Sequence, residues 1–371
     1  MLYFDWRHHC LTYDGTDPVL YFDGTMVDAA AAVVLLASLF CCGTWPAMLT
    51  YAAKDGRHAA HSYLDYTAGY VMVAAVTAVA SPLGGGDVAL AVVAMVGGAM
   101  LCVGNLCLQI AVDLGVPLTA ALPLQASLTV VLGTSLNFAL QPDRSDAAWL
   151  FAGVALFAAA IALTARAQLD YDRGRGAARA THQESPLVAD RAPPPPRARE
   201  AAAAAAAPAT RPRRGLAVAA LGGCAFGAFS PCFNVAVNDE LGWSAAGPLR
   251  LWTANLLFAA GFALGSLATN HRRLPRALRG YAAEAPKSRL LPAAAGAVCA
   301  AGNELQFYGA TLAGFAASDL VQAFPVVGMA WGRLLFRDFE GCAPGVARTL
   351  VAVYAAYLAA VLCLFLSVET T

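Results

Sequence analysis

Long apolar segments constrain the architecture of this chain more than any other feature of its sequence. A helix that crosses a bilayer needs about 20 mostly apolar residues, and about ten such segments follow one another here. They predict spans at residues 28–50, 66–83, 87–110, 116–139, 147–166, 215–237, 249–269, 291–312, 316–336 and 346–367. The fold class that this pattern indicates is an all-α, multi-pass membrane protein.

The composition agrees with a surface that faces lipid. Charged residues make up 13% of the 371 residues, roughly half of the 25% that is usual in soluble domains. Lys and Arg total 24 and Asp and Glu total 24, so we expect no basic face and no nucleic-acid partner. The sequence has no glycine-rich phosphate loop and no paired cysteine motif. We therefore expect no ATP, no metal and no cofactor.

A polar segment divides the chain into two similar halves. Residues 167–214 contain four consecutive prolines, an alanine run and many arginines, which predicts a disordered loop. It separates a short N-terminal segment (1–27) and a first five-helix repeat (28–166) from a second five-helix repeat (215–371). Matching features recur in the two halves: Gly104–Asn105 with Gly302–Asn303, Pro46 with Pro231, and Gly133 with Gly332. Because each half has an odd number of spans, we predict a 5+5 inverted repeat, an architecture typical of transporters.

The distribution of Lys and Arg predicts the orientation. Cytosolic loops are enriched in these residues. Lys54, Arg57 and the arginines of 166–214 and 272–279 fall in loops on one side of the predicted spans, whereas Arg7, Arg144 and Arg250 fall on the other. We predict that both termini and the 1–27 segment are extracellular and that the central loop is cytosolic.

Apart from Asp28 and Asp87, which are the first residues of their spans, two carboxyl groups fall within the predicted spans. Ionisable groups are costly there and often functional. Asp319 in the ninth span is our first candidate for a proton-coupling residue, and Glu304 in the eighth is the second. The alternative for Asp319 is structural, because Asp is also a good N-cap residue. The alternative for Glu304 is that it faces another helix or a lumen.

Amide side chains recur in the spans and are candidates for substrate binding. Asn105 and Gln109 share one helix face, Asn303 and Gln306 share another, and Gln322 lies one turn from Asp319. Trp45 and Pro46 mark a predicted helix break with a counterpart at Pro231, and Trp45 is a candidate for stacking on a planar ring. The alternatives are interhelical hydrogen bonding for the amides and simple proline kinks for the breaks.

The fixed cations within the predicted spans, Arg166, Arg250, Arg333 and Arg348, all lie near a span end. Recognition of phosphate usually requires Arg or Lys, whereas an amide offers a donor and an acceptor together. A midplane site of amides and carboxyls therefore favours a small neutral solute that carries C=O beside N–H.

Several motifs resemble those of the plant ureide permease family. They include Gly-Thr-Trp-Pro-Ala-Met at 43–48, Tyr-Leu-Asp-Tyr-Thr at 63–67, Gly-Asn-Glu-Leu-Gln-Phe at 302–307 and Ala-Ala-Ser-Asp-Leu-Val-Gln-Ala-Phe-Pro at 316–325. The resemblance implies an EamA-like carrier of the drug/metabolite transporter superfamily in the plasma membrane. It also implies uptake of allantoin and related oxo-heterocycles such as uracil and xanthine, together with protons. Glu304 stands where the family has a small residue, and Leu122 stands where we expect a carboxylate.

Two other functions remain compatible with these patterns. A carrier of another neutral solute such as a sugar would use the same amides and carboxyls. A non-transporting membrane sensor or assembly protein would use the amides to join helices. An enzyme is not expected, because the spans lack the His-Glu-x-x-His and Gly-x-Ser-x-Gly motifs.

Overall fold

In a computed structural model of the protein, the described residues are 19–22, 25–53, 59–140, 146–183, 210–270, 281, 285–313, 321 and 323–367. These residues form a short antiparallel hairpin of β1 (Val19–Phe22) and β2 (Thr25–Asp28), followed by ten helices. The helices are α1 (Ala29–Ala53), α2 (Ala59–Val79), α3 (Val88–Asp113), α4 (Leu118–Leu140), α5 (Ala147–Gln183), α6 (Thr210–Asn238), α7 (Leu251–Asn270), α8 (Lys287–Ala313), α9 (Phe324–Phe336) and α10 (Pro344–Leu366).

Seven helices of the described chain are long and apolar enough to cross a membrane: α1, α3, α4, α5, α6, α7 and α10. Helix α9 is apolar but has only 13 residues within its described bounds. Helices α2 and α8 carry more polar groups, among them the buried side chains of Asp65, Asn303 and Glu304. The prediction of a helical, multi-pass membrane protein is therefore confirmed.

The central segment differs from its prediction at both ends. Helix α5 continues to Gln183 and α6 begins at Thr210, so parts of the predicted 167–214 loop are helical. Asp170 lies within ion-pair distance of Arg166 and Arg173, at spacings of four and three residues. Such pairs stabilise an exposed helix. The prediction of a disordered loop did not take them into account. The four consecutive prolines and the alanine run at 201–207 lie outside the described residues.

Most helix packing joins the first five helices to the second five. Helix α3 packs on α6 and α7, and α8 packs on α1 and α2. Helix α4 packs on α6, and α1 packs on α9. Pairs α5–α10, α2–α7 and α4–α9 complete the arrangement. Adding or subtracting five from both helix numbers converts each of these pairs into another pair in the set. For example, α3–α7 becomes α8–α2, and α5–α10 becomes itself.

Glycines allow the closest of these helix contacts. A Cβ added at Gly98 in α3 would lie 1.8 Å from the carbonyl oxygen of Phe258 in α7. A Cβ added at Gly296 in α8 would lie 1.8 Å from the carbonyl oxygen of Tyr66 in α2. Small residues let helix backbones approach closely inside a membrane, so α3–α7 and α8–α2 are joined by the same kind of contact.

The reverse contacts match as well. A Cβ added at Gly261 in α7 would lie 1.9 Å from the carbonyl oxygen of Met95 in α3. A Cβ added at Gly69 in α2 would lie 1.9 Å from the carbonyl oxygen of Ala293 in α8. Each of the two crossings thus has a glycine on both helices. Six buried aromatic side chains from α2, α6, α7 and α8 make ring contacts between these helices, namely Tyr66, Tyr70, Phe233, Phe258, Phe262 and Phe307.

Candidate functional site

A cavity of about 30 Å³ lies where α1, α3, α4, α6, α8 and α9 meet. This volume holds about one or two waters. Its described lining consists of Cys42, Trp45, Leu101, Asn105, Leu122, Thr129, Phe226, Phe229, Cys299, Asn303, Gln306, Val321 and Phe324. Four residues predicted from the sequence, Trp45, Asn105, Asn303 and Gln306, are therefore brought together at one site.

Asn105 is the most informative polar group in this cavity. Its side chain is fully buried, and its Nδ2 donates to the Tyr66 hydroxyl at 2.7 Å and to the Cys299 sulfur at 3.8 Å. Its Oδ1 is also buried and has no hydrogen-bond partner among the residues that the structure describes. A buried polar atom normally has a partner, so this oxygen is available to accept a hydrogen bond from a solute.

Asn303 holds the corresponding place on α8. Its Nδ2 donates to the Tyr70 hydroxyl at 3.2 Å and to the Cys299 sulfur at 3.7 Å. Two amide NH₂ groups, one from each half of the chain, therefore converge on a single sulfur atom. A sulfur is a weak acceptor, so a stronger acceptor such as a carbonyl oxygen would bind these donors better.

The two tyrosines and Cys299 were missed by the sequence analysis. Tyr63, Tyr66 and Tyr70 follow one another at spacings of three and four residues, which places them on one face of α2. Tyr66 also contacts Trp45, with ring centroids 5.4 Å apart. The phenols hold the two amides and the Trp45 indole in position. The helical spacing of the tyrosines is the sequence signal that could have identified them.

Gln109 and Glu304 are not part of the described cavity lining. Gln109 lies one turn beyond Asn105, and its Nε2 is buried without a partner among the described residues. Glu304 follows Asn303 directly and is therefore rotated by about 100° around α8. Its Oε1 accepts from Asn255 Nδ2 in α7 at 2.7 Å and from Thr77 Oγ1 in α2 at 3.0 Å. The adjacent Asn303 and Glu304 thus face different surroundings.

The predicted helix breaks are corrected by the structure. Pro46 lies inside the continuous helix α1, and Pro231 lies inside the continuous helix α6. Neither site is an unwound segment that presents carbonyls to a solute. A proline removes one backbone hydrogen bond, but the flanking helix continues here because buried packing holds it. Asp319 and Gln322 lie outside the described residues.

The cavity has no fixed positive charge among its described lining residues. Arg333 lies in the last turn of α9 and its side chain is exposed. Leu122, at the position where the resemblance suggested a carboxylate, lines the cavity as an apolar side chain. The described walls therefore combine amides with aromatic and aliphatic surface.

Residues 63–177 and 209–367 match the sequence family described as Ureide permease. The chain belongs to the ureide permease family. It is 30% identical to "Ureide permease 1" of Arabidopsis thaliana over 380 residues, which cover 91% of this chain and 96% of that protein. It is 29% identical to "Ureide permease 4" of the same plant over 392 residues, covering 91% and 97% of the two chains.

A third relative, "Ureide permease 2" of Arabidopsis thaliana, is 30% identical over 358 residues, which cover 84% of this chain and 90% of that protein. No solved structure matches the chain. Ureide permease family members are transporters and not enzymes. The chain is accordingly a multi-pass membrane transporter, and the ranges that match the family include Asn105 and Asn303, which line the cavity.

Proposed function

We propose that this ureide permease family member imports allantoin and related oxo-heterocycles such as uracil and xanthine by proton-coupled, alternating-access transport across the plasma membrane. The observation that carries the proposal is the buried Asn105 amide, whose Nδ2 is anchored while its Oδ1 has no partner among the described residues. The relatives are named for ureides, and ureides carry C=O beside N–H. An amide complements that arrangement with one donor and one acceptor.

In the proposed complex, a substrate N–H donates to Asn105 Oδ1. A neighbouring substrate carbonyl accepts from the Nδ2 groups of Asn105 and Asn303, which both lie within 3.8 Å of the Cys299 sulfur. The carbonyl oxygen replaces the sulfur as acceptor and forms stronger hydrogen bonds. Gln306, and Gln322 beyond the described residues, are further candidates for polar contacts to the same ring.

Aromatic side chains give the site its preference for flat rings. Trp45, Phe226, Phe229 and Phe324 line the cavity, and offset stacking on such rings contributes about 0.5–1.5 kcal/mol beyond area burial. An anion would be taken out of water without a compensating cation in this lining, which is unfavourable. The walls thus favour neutral heterocycles over phosphorylated solutes.

The size of the cavity supports a moving site. Ligand pockets usually measure about 300–1,000 Å³, whereas this cavity measures about 30 Å³. The helices around it must separate before a heterocycle can enter, and an alternating-access cycle includes such a step. We therefore propose that the structure is a closed conformation of the carrier.

We further propose that the two five-helix halves form an inverted repeat of the EamA-like type within the drug/metabolite transporter superfamily. The repeated glycine crossings support this, and so does a third pair of contacts. A Cβ added at Gly133 would lie 3.3 Å from the Gly227 oxygen, and one at Gly328 would lie 3.3 Å from the Gly43 oxygen. In the proposed repeat, these contacts favour pairing Gly133 with Gly328, in place of the pairing with Gly332 that the sequence suggested.

Proton coupling requires a carboxyl group that changes its protonation during the cycle. The two candidates from the sequence are Asp319 and Glu304. Both are kept in this proposal, in which protonation stabilises the closed, substrate-bound carrier. Both termini are extracellular and the central loop is cytosolic in the proposed topology.

The experiment that tests this function is radiolabelled uptake in a yeast strain that lacks its own permeases for these solutes. Allantoin, uracil and glucose are compared at two external pH values, with an empty-vector strain as control. We expect allantoin and uracil uptake that increases at the lower pH, and glucose uptake equal to the control. Saturable glucose uptake without allantoin uptake would instead identify a sugar carrier.

A further inference from the structure

Glu304 is a buried carboxyl group at the junction of three helices. The residue is 7% exposed and lies in α8, where α2 and α7 pack close to it. Asn255 donates to its Oε1 from α7 at 2.7 Å, and Thr77 donates to the same oxygen from α2 at 3.0 Å. The carboxyl therefore links α8 to both neighbouring helices through one atom.

The chemistry of this junction favours a proton over a metal cation. Both contacts at 3.0 Å or less are donated to Glu304, by the Asn255 NH₂ group and the Thr77 hydroxyl. A sodium or calcium ion needs converging oxygen lone pairs, whereas these groups present hydrogens. Because both hydrogen bonds end on Oε1, a proton on Oε2 leaves them intact.

The groups that face Glu304 carry no charge near neutral pH. Helix α2 contributes the Thr77 hydroxyl, and the Tyr70 phenol lies two turns before Thr77 on the same helix. Helix α7 contributes the neutral Asn255 amide. A phenol ordinarily has a pKa of about 10 and a glutamate carboxyl one of about 4, so Glu304 is the strongest acid among these groups.

The junction is separate from the substrate cavity but shares one helical turn with it. Asn303 lines the cavity, whereas Glu304 contacts α2 and α7 and is not part of the described cavity lining. A displacement of this turn moves both side chains. Tyr70 also connects the two sites, because its hydroxyl accepts from Asn303.

We propose that Glu304 is the proton-binding carboxyl of the transport cycle, acting from outside the substrate cavity, with Asn255 and Thr77 as its positioning residues. The proposal rests on the proton-coupled transport proposed above. A buried charge is costly in a membrane, so the neutral form favours α8 seated against α2 and α7. The ionised form favours access of water to the junction and displacement of α8, which repositions Asn303 in the cavity.

The test uses the purified full-length protein in liposomes and measures two activities. The first is accumulation of radiolabelled allantoin driven by an inward proton gradient. At one proton per solute, each pH unit supports up to about tenfold accumulation. The second is counterflow of allantoin without a gradient. Wild-type protein should perform both, and Glu304→Gln should retain counterflow while losing accumulation.

Glu340→Gln is the matched control, because Glu340 is exposed in the loop between α9 and α10. It should accumulate allantoin like the wild type. Gradient-driven accumulation by Glu304→Gln at the wild-type level would overturn the proposal. Loss of accumulation in Asp319→Asn, with Glu304→Gln unaffected, would assign the role to Asp319. Absence of all allantoin transport by the wild type would refute the proposed function itself.

The positioning residues provide a second test that does not require the carboxyl to be removed. Asn255→Leu should shift the midpoint of the pH profile of counterflow to higher pH, because the ionised carboxyl has lost a donor. Thr77→Val should shift it in the same direction. Thr269→Val is the control. The hydroxyls of Thr77 and Thr269 both contact carbonyls of their own helices, but of these two hydroxyls Thr77 is the one that also contacts Glu304.

The KM for allantoin should change by less than about twofold in Asn255→Leu. The Asn255 amide donates to Glu304, which is not part of the described cavity lining. If Glu304→Gln lost counterflow as well as accumulation, the Asn255→Leu pH profile would decide. An unchanged profile in both Asn255→Leu and Thr77→Val would overturn the proposal.

Discussion

Asn105→Leu provides the sharpest test of the cavity as the binding site. The substitution keeps a side chain of similar size but removes Oδ1, the acceptor that has no partner among the described residues, together with the Nδ2 donor. A bound substrate would then bury an unpaired N–H, which costs about 1–3 kcal/mol. That range corresponds to about a 5–150-fold increase in the dissociation constant for allantoin.

The assay is equilibrium binding of radiolabelled allantoin to purified protein in detergent, supported by KM values for uptake. Asn234→Leu is the matched control: Asn234 is also buried, donates to Asn137 at 3.3 Å and is not part of the described cavity lining. It should bind allantoin within about twofold of the wild type. A dissociation constant for Asn105→Leu that also stays within about twofold of the wild type would refute the reasoning.

Two further predictions concern packing and access. Gly98→Ala should destabilise the protein in detergent by about 1–3 kcal/mol, because the new Cβ would lie 1.8 Å from the Phe258 oxygen. The control Gly174→Ala lies in α5 with no atom within 4 Å of the added Cβ, and it should stabilise the helix by up to about 1 kcal/mol. Equal melting temperatures of the two variants would contradict this prediction. A small membrane-permeant maleimide should inactivate transport through Cys299, which lines the cavity, and allantoin should slow the reaction. Cys299→Ser should resist inactivation.

The sequence predicted the number and order of the helices because each apolar segment satisfies its own backbone hydrogen bonds in a membrane. The prediction was less accurate where a helix extends beyond its apolar segment. Helix α2 begins at Ala59 and not at the predicted residue 66, since its first two turns carry His61, Ser62 and Asp65, which are polar but buried. Burial of polar side chains depends on neighbouring helices, which hydropathy along one segment does not describe.

The site was predicted in part for a similar reason. Asn105 and Asn303 were identified by their repeated Gly-Asn motif, and both line the cavity. Gln109 was grouped with Asn105 because they share a helix face, but the described cavity lining on α3 ends at Asn105. Asn255 gave no signal in the sequence, because its importance comes from its 2.7 Å contact with Glu304 in another helix.

Counterflow by the purified protein tests the central claim most directly, because no other cellular protein takes part. Liposomes that contain the wild-type chain are loaded with unlabelled allantoin and diluted into a trace of labelled allantoin, labelled glucose or a labelled phosphorylated nucleoside. The account predicts transient uptake of labelled allantoin, competition by uracil and xanthine, and no uptake of the other two solutes. Exchange of glucose or of the phosphorylated nucleoside in place of allantoin would contradict it.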